Sequence, residues 1–419
     1  MIIHMLGGGP AQVSLIRRAK DLGYKVVVSD LNPQAPGLKE ADYPSLASTF
    51  DEEAVLRDAR KFHSDFLVTA GTDQPVLTAA RVSAALNLPY FLTPSQALVV
   101  TNKKVMKQAF RGHGIPTMDF TFLKPGFHDS ELEGLHFPLV IKPLDSQGQR
   151  GVLRVENCEE IRRNISIVLS FSRQEEILAE EYYPSIELTV SGWVEKGRAH
   201  IFSITDRVTV DNGPHLGVCV SHRYPSLCHG DWDELEVLTA KITAMIGLKN
   251  GPLYFQILSG DRGYRVNEIA CRLGGAYEDE FLPWLCGVPL LDLMIEMTAG
   301  SDYNSDYLNH LSRIREGKYL SLQMFFSRPG RLCSREGMEK VVQLENILNG
   351  RFLLPAGTKI FSRENSTQRA GYFIACGQNP HDLNRLIRES YDLLHLKGQD
   401  GRNLIQFYER MLFPYEESY

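Results

Sequence analysis

The sequence predicts an α/β amino-terminal third built on a parallel sheet, followed by a longer α+β region of antiparallel strands. Three observations predict it. Over residues 1–86, short apolar runs alternate with amphipathic stretches in a β-α-β-α-β-α order, which calls for a parallel sheet with helices on both faces. Leu253–Leu258 and Tyr264–Ile269 flank the turn-forming run Ser259–Gly263, the pattern of a β-hairpin. Beyond residue 306, strand-like Tyr319–Arg328, Gly357–Ser362 and Gly371–Cys376 precede a helical Asp382–His395.

In the first third, Met1–Leu6 is a buried strand and Gly7-Gly8-Gly9-Pro10 a turn. A helix with Leu15, Ile16, Ala19 and Leu22 on one face stops at Gly23. Lys25–Ser29 is the second strand and ends at Asp30. Asp51-Glu52 opens a helix, Asp65–Ala70 is the third strand and Gln74–Leu86 a helix. The glycine loop and Asp30 invite a dinucleotide reading, but Gly7-x-Gly9-x-x-Gln12 lacks the third glycine that allows close helix–strand packing. Thr72 and Asp73 sit at the carboxyl end of the third strand, where open α/β sheets bind ligands. They are candidate substrate contacts, with an ordinary helix cap as the alternative.

In the middle region, Thr93-Pro94 starts a helix, and the segment from Thr101 through Lys107 reads as continuing helically to Gly112. Phe137–Pro143 is a buried strand closed by Lys142, a costly place for a lysine unless it is paired or reaches a polar cleft. The loop Asp145–Val152 carries Gly148 and Gly151, which can turn backbone N–H groups toward phosphate. It has no Gly-Lys-Ser/Thr ending. A helix at Cys158–Phe171 and a strand at Ile177–Tyr183 follow. Ser191–Val194 and Ala199–Arg207 read as antiparallel strands, and Asp233–Ile246 as an amphipathic helix. With Arg262 as the centre of the later hairpin, Gln256 lies opposite Glu268 on one face, with Ala270 next along it. Oxygen donors side by side on a rigid sheet suit a hard cation such as Mg²⁺. Arg272 follows, then Gly274-Gly275. A cation site beside an arginine is what phosphoryl transfer needs, because negative charge on phosphate oxygens must be neutralised.

Composition sets bounds. At 419 residues the chain should hold about two to four domains. A net charge of −6 argues against a nucleic-acid-coating surface. The seven cysteines are scattered and odd in number, which favours a reduced, cytoplasmic protein over a disulfide scaffold. The twelve histidines show no zinc-ligand spacing. No apolar run approaches the ~20 residues of a membrane span, and the amino terminus lacks the basic region of a secretory leader. Small-molecule partners are expected, with no nucleic acid and no membrane.

The ordered motifs resemble the ATP-grasp superfamily. Gly7-Gly8-Gly9-Pro10-Ala11-Gln12 and Asp30-Leu31-Asn32-Pro33-Gln34-Ala35-Pro36-Gly37 are similar to the loops of its Rossmann-like pre-ATP-grasp domain. Asn102-Lys103 with Met106-Lys107 and Gly114-Ile115-Pro116 resembles the junction whose first lysine reaches a nucleotide phosphate. Lys142 resembles the second ATP lysine, and Gly148–Gly151 the flexible glycine loop. Glu180 and Glu187 have the spacing of two family glutamates. The first begins the linker that contacts adenine through its main chain, here Glu181-Tyr182-Tyr183. The second takes the ribose hydroxyls. Glu268-Ile269-Ala270-Cys271-Arg272 keeps the Glu and Arg of the family's Glu-x-Asn-x-Arg run but has Ala in place of Asn. Asp206-Arg207 and His222–Ser226 fall where relatives place acceptor- or phosphate-contacting groups, each with a structural reading as its alternative.

The resemblance implies an ATP-grasp fold over residues 97–305, its smaller subdomain at about 115–180, preceded by a Rossmann-like domain at 1–96 and followed by an α+β domain at 306–419. It implies an ADP-forming carboxylate–amine ligase similar to L-amino acid ligases and carbamoyl-phosphate synthase large subunits. ATP and Mg²⁺ or Mn²⁺ would be the cofactors, a carboxylate and an amine the substrates, and a homodimer the assembly. Lys103, Lys142, Gly148 and Gly151 would hold phosphates, Glu180 to Glu187 the nucleoside, and Gln256 and Glu268 the metal. Arg272 would stabilise the transferred phosphoryl group. Arg207, His222, Gly274, Gly275 and Glu278 join Thr72 and Asp73 as candidate substrate contacts. For Glu278 the alternative is a solvated helix start. Alternation points Asn267 to the other face, so it is not expected to replace the missing Asn as a ligand. The other readings are a bicarbonate- or carbamate-activating enzyme and a non-catalytic nucleotide binder. No catalytic constellation is read in the carboxyl-terminal part.

Overall fold

A computed structural model describes residues 1–212, 215–301, 306–309, 311, 317–361 and 365–414. The polar boundary expected at 301–306 falls mostly on 302–305, outside the described residues. The first four strands, β1 (Ile2–Leu6), β2 (Lys25–Ser29), β3 (Tyr43–Ser45) and β4 (Phe66–Val68), form a parallel sheet in the order β3-β2-β1-β4. Strand alternation feeds two cores. Ile3, Met5, Phe66 and Val68 pack with Leu15 and Ile16 of helix α1 (Val13–Asp21), while Leu67 packs on the other face with Val55 and Ala79. Asp51 caps its helix by accepting the Ala54 N–H, as its sequence position suggests.

Nine more strands follow: β5 (Phe120–Leu123), β6 (Leu139–Pro143), β7 (Leu153–Val155), β8 (Ile177–Glu181), β9 (Ile186–Glu195), β10 (Arg198–Asn212), β11 (His215–Tyr224), β12 (Gly251–Gly260) and β13 (Gly263–Ala270). They run in the order β13-β12-β9-β10-β11-β7-β6-β8-β5. The carboxyl-terminal part extends this sheet. Strand β14 (Tyr319–Ser327) pairs antiparallel with β11 and with Gly371–Gly377. The seven cysteines form no disulfide. No single helix among the described residues is long and apolar enough to cross a membrane.

Two local expectations are corrected. The helix expected to run on from Thr101 breaks at Asn102, and a new helix spans Lys103–His113. The Asn102 side chain accepts the N–H groups of Lys104 and Val105, so a capping residue interrupts the apolar pattern. Lys103 thereby becomes the first residue of a helix. In the hairpin, Gly260 pairs with Gly263, so the turn is Asp261-Arg262 and is not centred on Arg262. Gln256 still faces Glu268 because the register shifts by one residue between Gln256 and Ile257.

Candidate functional site

One cavity of about 570 Å³ lies between the amino-terminal loops, the glycine loop, β9–β13 and the carboxyl-terminal part. Lys103, Lys142, Gly148, Glu180 and Glu187 line it, as do Glu181, Tyr182 and Tyr183. Gln256, Glu268 and Arg272 line it from the hairpin, and Thr72, Asp73, Arg207, His222 and Gly275 complete the set of expected residues found there.

Three expected residues stand elsewhere. Gly151 does not line the cavity, and a side chain there would meet Phe171 at 2.8 Å and Pro143 at 3.0 Å. It serves packing at φ +73°. Gly274 is likewise off the cavity wall, because the Glu278 carboxyl folds beneath it, 2.1 Å from where a Cβ would stand. Glu278 is neither a solvated helix start nor a cavity group. It is buried and accepts the Ala276 N–H at 2.8 Å, closing the turn locally. The acidic run after Arg272 is committed to packing: Asp279 binds Ser14, and Glu280 binds Arg351 and Tyr372.

Charges at one end of the cavity are paired. Lys142, at the end of β6, contacts the Glu180 carboxylate and gives a 2.9 Å hydrogen bond to the Asn267 amide oxygen. Glu180 also holds Lys107 at 2.8 Å, both about 1 % exposed. Burial pushes the Glu180 carboxyl up, but Lys107 and Lys142 outweigh it and hold the pKa at about 2. Lys103 spans Glu268 and the Ser146 carbonyl, each at 2.9 Å. Burial opposes the Glu268 charge too, and Lys103 overcomes it, leaving the carboxyl below its ordinary range. Glu187 pairs with Arg207. Of the linker amides, those of Glu181 and Tyr182 are spent on the carbonyls of Asp119 and Pro138.

The hairpin corrects the expectation for Asn267. The register shift between Gln256 and Ile257 is a bulge, which sets two residues of one strand against one of its partner. Asn267 is the extra residue, and it lines the cavity beside Glu268 and Gln256. Simple alternation would have turned it away; the bulge returns it. Ala270 is buried and off the cavity wall.

Arg272 closes this end. Its guanidinium grips Asp73 at 2.6 and 2.7 Å and lies 4.6 Å from the Tyr254 ring centre. Asp73 stands at the N-cap position of Gln74–Leu86 yet caps nothing with its side chain, so the ordinary-cap reading does not hold for it. Alternation separates the two pairs on β10 and β11. Arg207 and His222 face the cavity, whereas Asp206 and Arg223 bind each other away from it, with Ser226 also on Asp206. In the first glycine loop, Asp30 accepts the Gly8 and Asn32 N–H groups. A carboxylate already used in this way opposes the dinucleotide reading. Gly275 must be small, since a Cβ there would meet the Gly71 carbonyl at 2.5 Å.

Residues whose place sequence reasoning missed complete the site, with Lys107 buried behind the wall on Glu180 and Asn267, Ser366 and Arg369 on it. Lys107 shares the helix face of Lys103 at i+4, a legible signal. Asn267 depended on a bulge. Ser366 and Arg369 come from the carboxyl-terminal part, more than 90 residues beyond the hairpin, and carry no local signal.

Comparisons agree with this geometry. Residues 135–279 match the ATP-grasp domain, and residues 323–397 match L-amino acid ligase C-terminal domain 2. The chain is 26% identical over 196 residues to a formate-dependent phosphoribosylglycinamide formyltransferase of Synechocystis sp., a match covering 44% of this chain and 49% of that protein. The chain thus spans about half the length of that relative. It is 20% identical over 342 residues to dapdiamide A synthase of Enterobacter agglomerans, covering 78% of each. The crystal structure of an L-amino acid ligase from Bacillus licheniformis superposes with a TM-score of 0.81 at 19% identity, over 95% of this chain and 98% of that one. The chain therefore carries the ATP-grasp fold, with an ATP-grasp domain followed by an L-amino acid ligase C-terminal domain 2, and it resembles L-amino acid ligases.

Proposed function

We propose that this chain is an ADP-forming carboxylate–amine ligase. A carboxylate oxygen attacks the γ-phosphorus of ATP, the bond to ADP breaks, and an acyl phosphate forms. An amine nitrogen then attacks the acyl carbon, phosphate leaves with the carbon–oxygen bond's electrons, and the nitrogen loses a proton. The observation that carries the reading is the convergence of Lys103, Lys142, Glu187 and the Glu268–Arg272 run, from four separate segments, on one cavity. The matched proteins named L-amino acid ligase and dapdiamide A synthase support the same reaction class.

In this reading Lys103 and Lys142 hold phosphate oxygens, the Gly148 backbone approaches them, and Tyr182, Tyr183 and Glu187 hold the nucleoside. Glu180 holds Lys107 and Lys142 in place. The Glu268 carboxylate and the amide oxygens of Gln256 and Asn267 fit Mg²⁺ or Mn²⁺, which favour such hard donors. The metal, when bound, neutralises charge on the phosphates. Among the described residues no three His, Cys, Asp or Glu side chains converge as a metal site. A donor set of one carboxylate and two amides is weakly charged, so much of the metal's affinity should come from the nucleotide. Arg272, oriented by Asp73, stabilises charge that develops on the transferred group. A homodimer belongs to the same proposal.

The test is ADP release from Mg-ATP against amino acids, other small carboxylates and bicarbonate, singly and in pairs, with Arg272→Ala as control. ADP that needs a particular acid–amine pair and disappears in the variant supports the ligase. ADP driven by bicarbonate alone would favour a carboxylase. ATP binding without ADP release under any condition would overturn the proposal.

A further inference from the structure

The end of the cavity nearest the carboxyl-terminal part differs in its charge pairing. Arg207 is taken by Glu187 and Arg272 by Asp73. Arg369 has no carboxylate within ion-pair distance among the described residues. It donates one N–H to the Gly275 carbonyl at 3.0 Å, and its buried Nε has no acceptor. His222 is 1 % exposed, with Nδ1 3.0 Å from the Thr205 hydroxyl and Nε2 without a partner. Burial first, then the charges of Arg207 and Arg369, hold the imidazole well below its ordinary pKa, so the ring is neutral near pH 7. When Nδ1 accepts the Thr205 proton, Nε2 carries the ring hydrogen and donates. Both side chains line the cavity. Buried donors without acceptors are costly and rare, and here two belong to residues lining one cavity, one of them an arginine with no ion pair among the described residues.

We propose that Arg369 and His222 form a carboxylate-binding subsite that takes a substrate carboxylate other than the one phosphorylated. The assignment of that second role rests on the ligase reading above. One unpaired guanidinium and one neutral N–H donor match the single charge and two oxygens of a carboxylate. Arg369 is anchored on Gly275, three residues after Arg272, so the subsite adjoins the phosphoryl-transfer end. The carboxylate has two sources, the amine-bearing amino acid or the second carboxyl of a dicarboxylic acid.

Thermal shift in the presence of Mg²⁺ and a non-hydrolysable ATP analogue tests this without turnover. The probes are the common L-amino acids, their carboxamides, and succinate and glutarate, against wild type, Arg369→Ala and Arg369→Lys. In wild type, at least one free acid should bind tenfold or more tighter than its carboxamide or, for a dicarboxylate, its mono-amide. Arg369→Ala should bind acid and amide alike, with Arg369→Lys between them and the nucleotide-analogue shift of both variants intact, which also reports folding. An amino acid as the discriminated ligand assigns the subsite to the amine substrate; succinate or glutarate assigns it to a dicarboxylic acid. Equal binding of acid and amide in wild type, discrimination surviving in Arg369→Ala, or no shift with any acid would overturn the subsite. Discrimination without ADP release in the turnover assay would overturn the ligase reading and leave the subsite standing.

Discussion

The two ends of the cavity handle charge differently. At the glycine-loop end, Lys103, Lys107 and Lys142 are answered by Glu268 and Glu180, and Arg272 by Asp73. At the carboxyl-terminal end, Arg369 and the His222 Nε2 have donors to spare. A buried charge held by a partner is preorganised, and breaking the pair leaves the other charge desolvated. An unpaired donor on a cavity wall is instead available to a ligand. The difference teaches that one end is built to stay in place and the other to select.

The largest effect should come from breaking the paired end at its centre. Glu180→Ala leaves Lys107 and Lys142 uncompensated and should cost about 3–5 kcal/mol of stability, measured by chemical denaturation. The pH dependence has a fixed sign. The folded Glu180 pKa of about 2 lies below its unfolded value near 4.5, so its contribution is fully present above about pH 4.5 and is lost as pH falls toward 2. A Glu180→Gln variant should show a flatter loss of stability across that window. Equal slopes would mean that the buried lysines do not hold this carboxylate.

Arg272→Ala should lower the rate of ADP release by roughly 10²–10³-fold, the scale of losing one preorganised donor to a developing charge. Single-turnover kinetics would read it, and nucleotide binding should survive. Asn267→Ala sharpens the contrast more gently. Removing one neutral donor, worth about 1 kcal/mol, should raise the Mg²⁺ concentration for half-maximal activity by about fivefold; an unchanged Mg²⁺ titration would remove Asn267 from the metal site.

The smallest effect joins the two ends. The Ser366 hydroxyl and N–H reach Gln149 at 2.7 Å and the Gly148 carbonyl at 3.1 Å, while Gln147 accepts the Asp73 N–H at 2.6 Å. The glycine loop is thus held from both sides. Ser366→Ala removes the hydroxyl bond, worth about 0.5–1.5 kcal/mol, and should raise the KM for ATP by a few-fold with little change in kcat.

Much of the paired end was legible. A lysine closing an apolar strand, a Glu spaced seven residues from another, and an Arg after a hairpin carboxylate all lie in short local runs. Lys107 was legible by its i+4 relation to Lys103. Gly151 and Glu278 were misread because each has the right residue type for a ligand contact, while neighbouring packing against Phe171 and beneath Gly274 decides their use. Asn267 was misread because a one-residue bulge inverts the faces that alternation assigns.

The sequence by itself determined most of the elements, though not the Tyr43–Ser45 strand or the break at Asn102, the parallel character of the first sheet, and the run of lysines, glutamates and Arg272, because these follow from periodicity, turn chemistry and spacing along the chain. Only the tertiary structure decided which charges meet, that Asp73 orients Arg272 from 199 residues away, and that β14 pairs with β11, joining the carboxyl-terminal part that brings Arg369 to the cavity wall. Those are contacts between distant segments. They are set by strand pairing and packing, which no local pattern encodes.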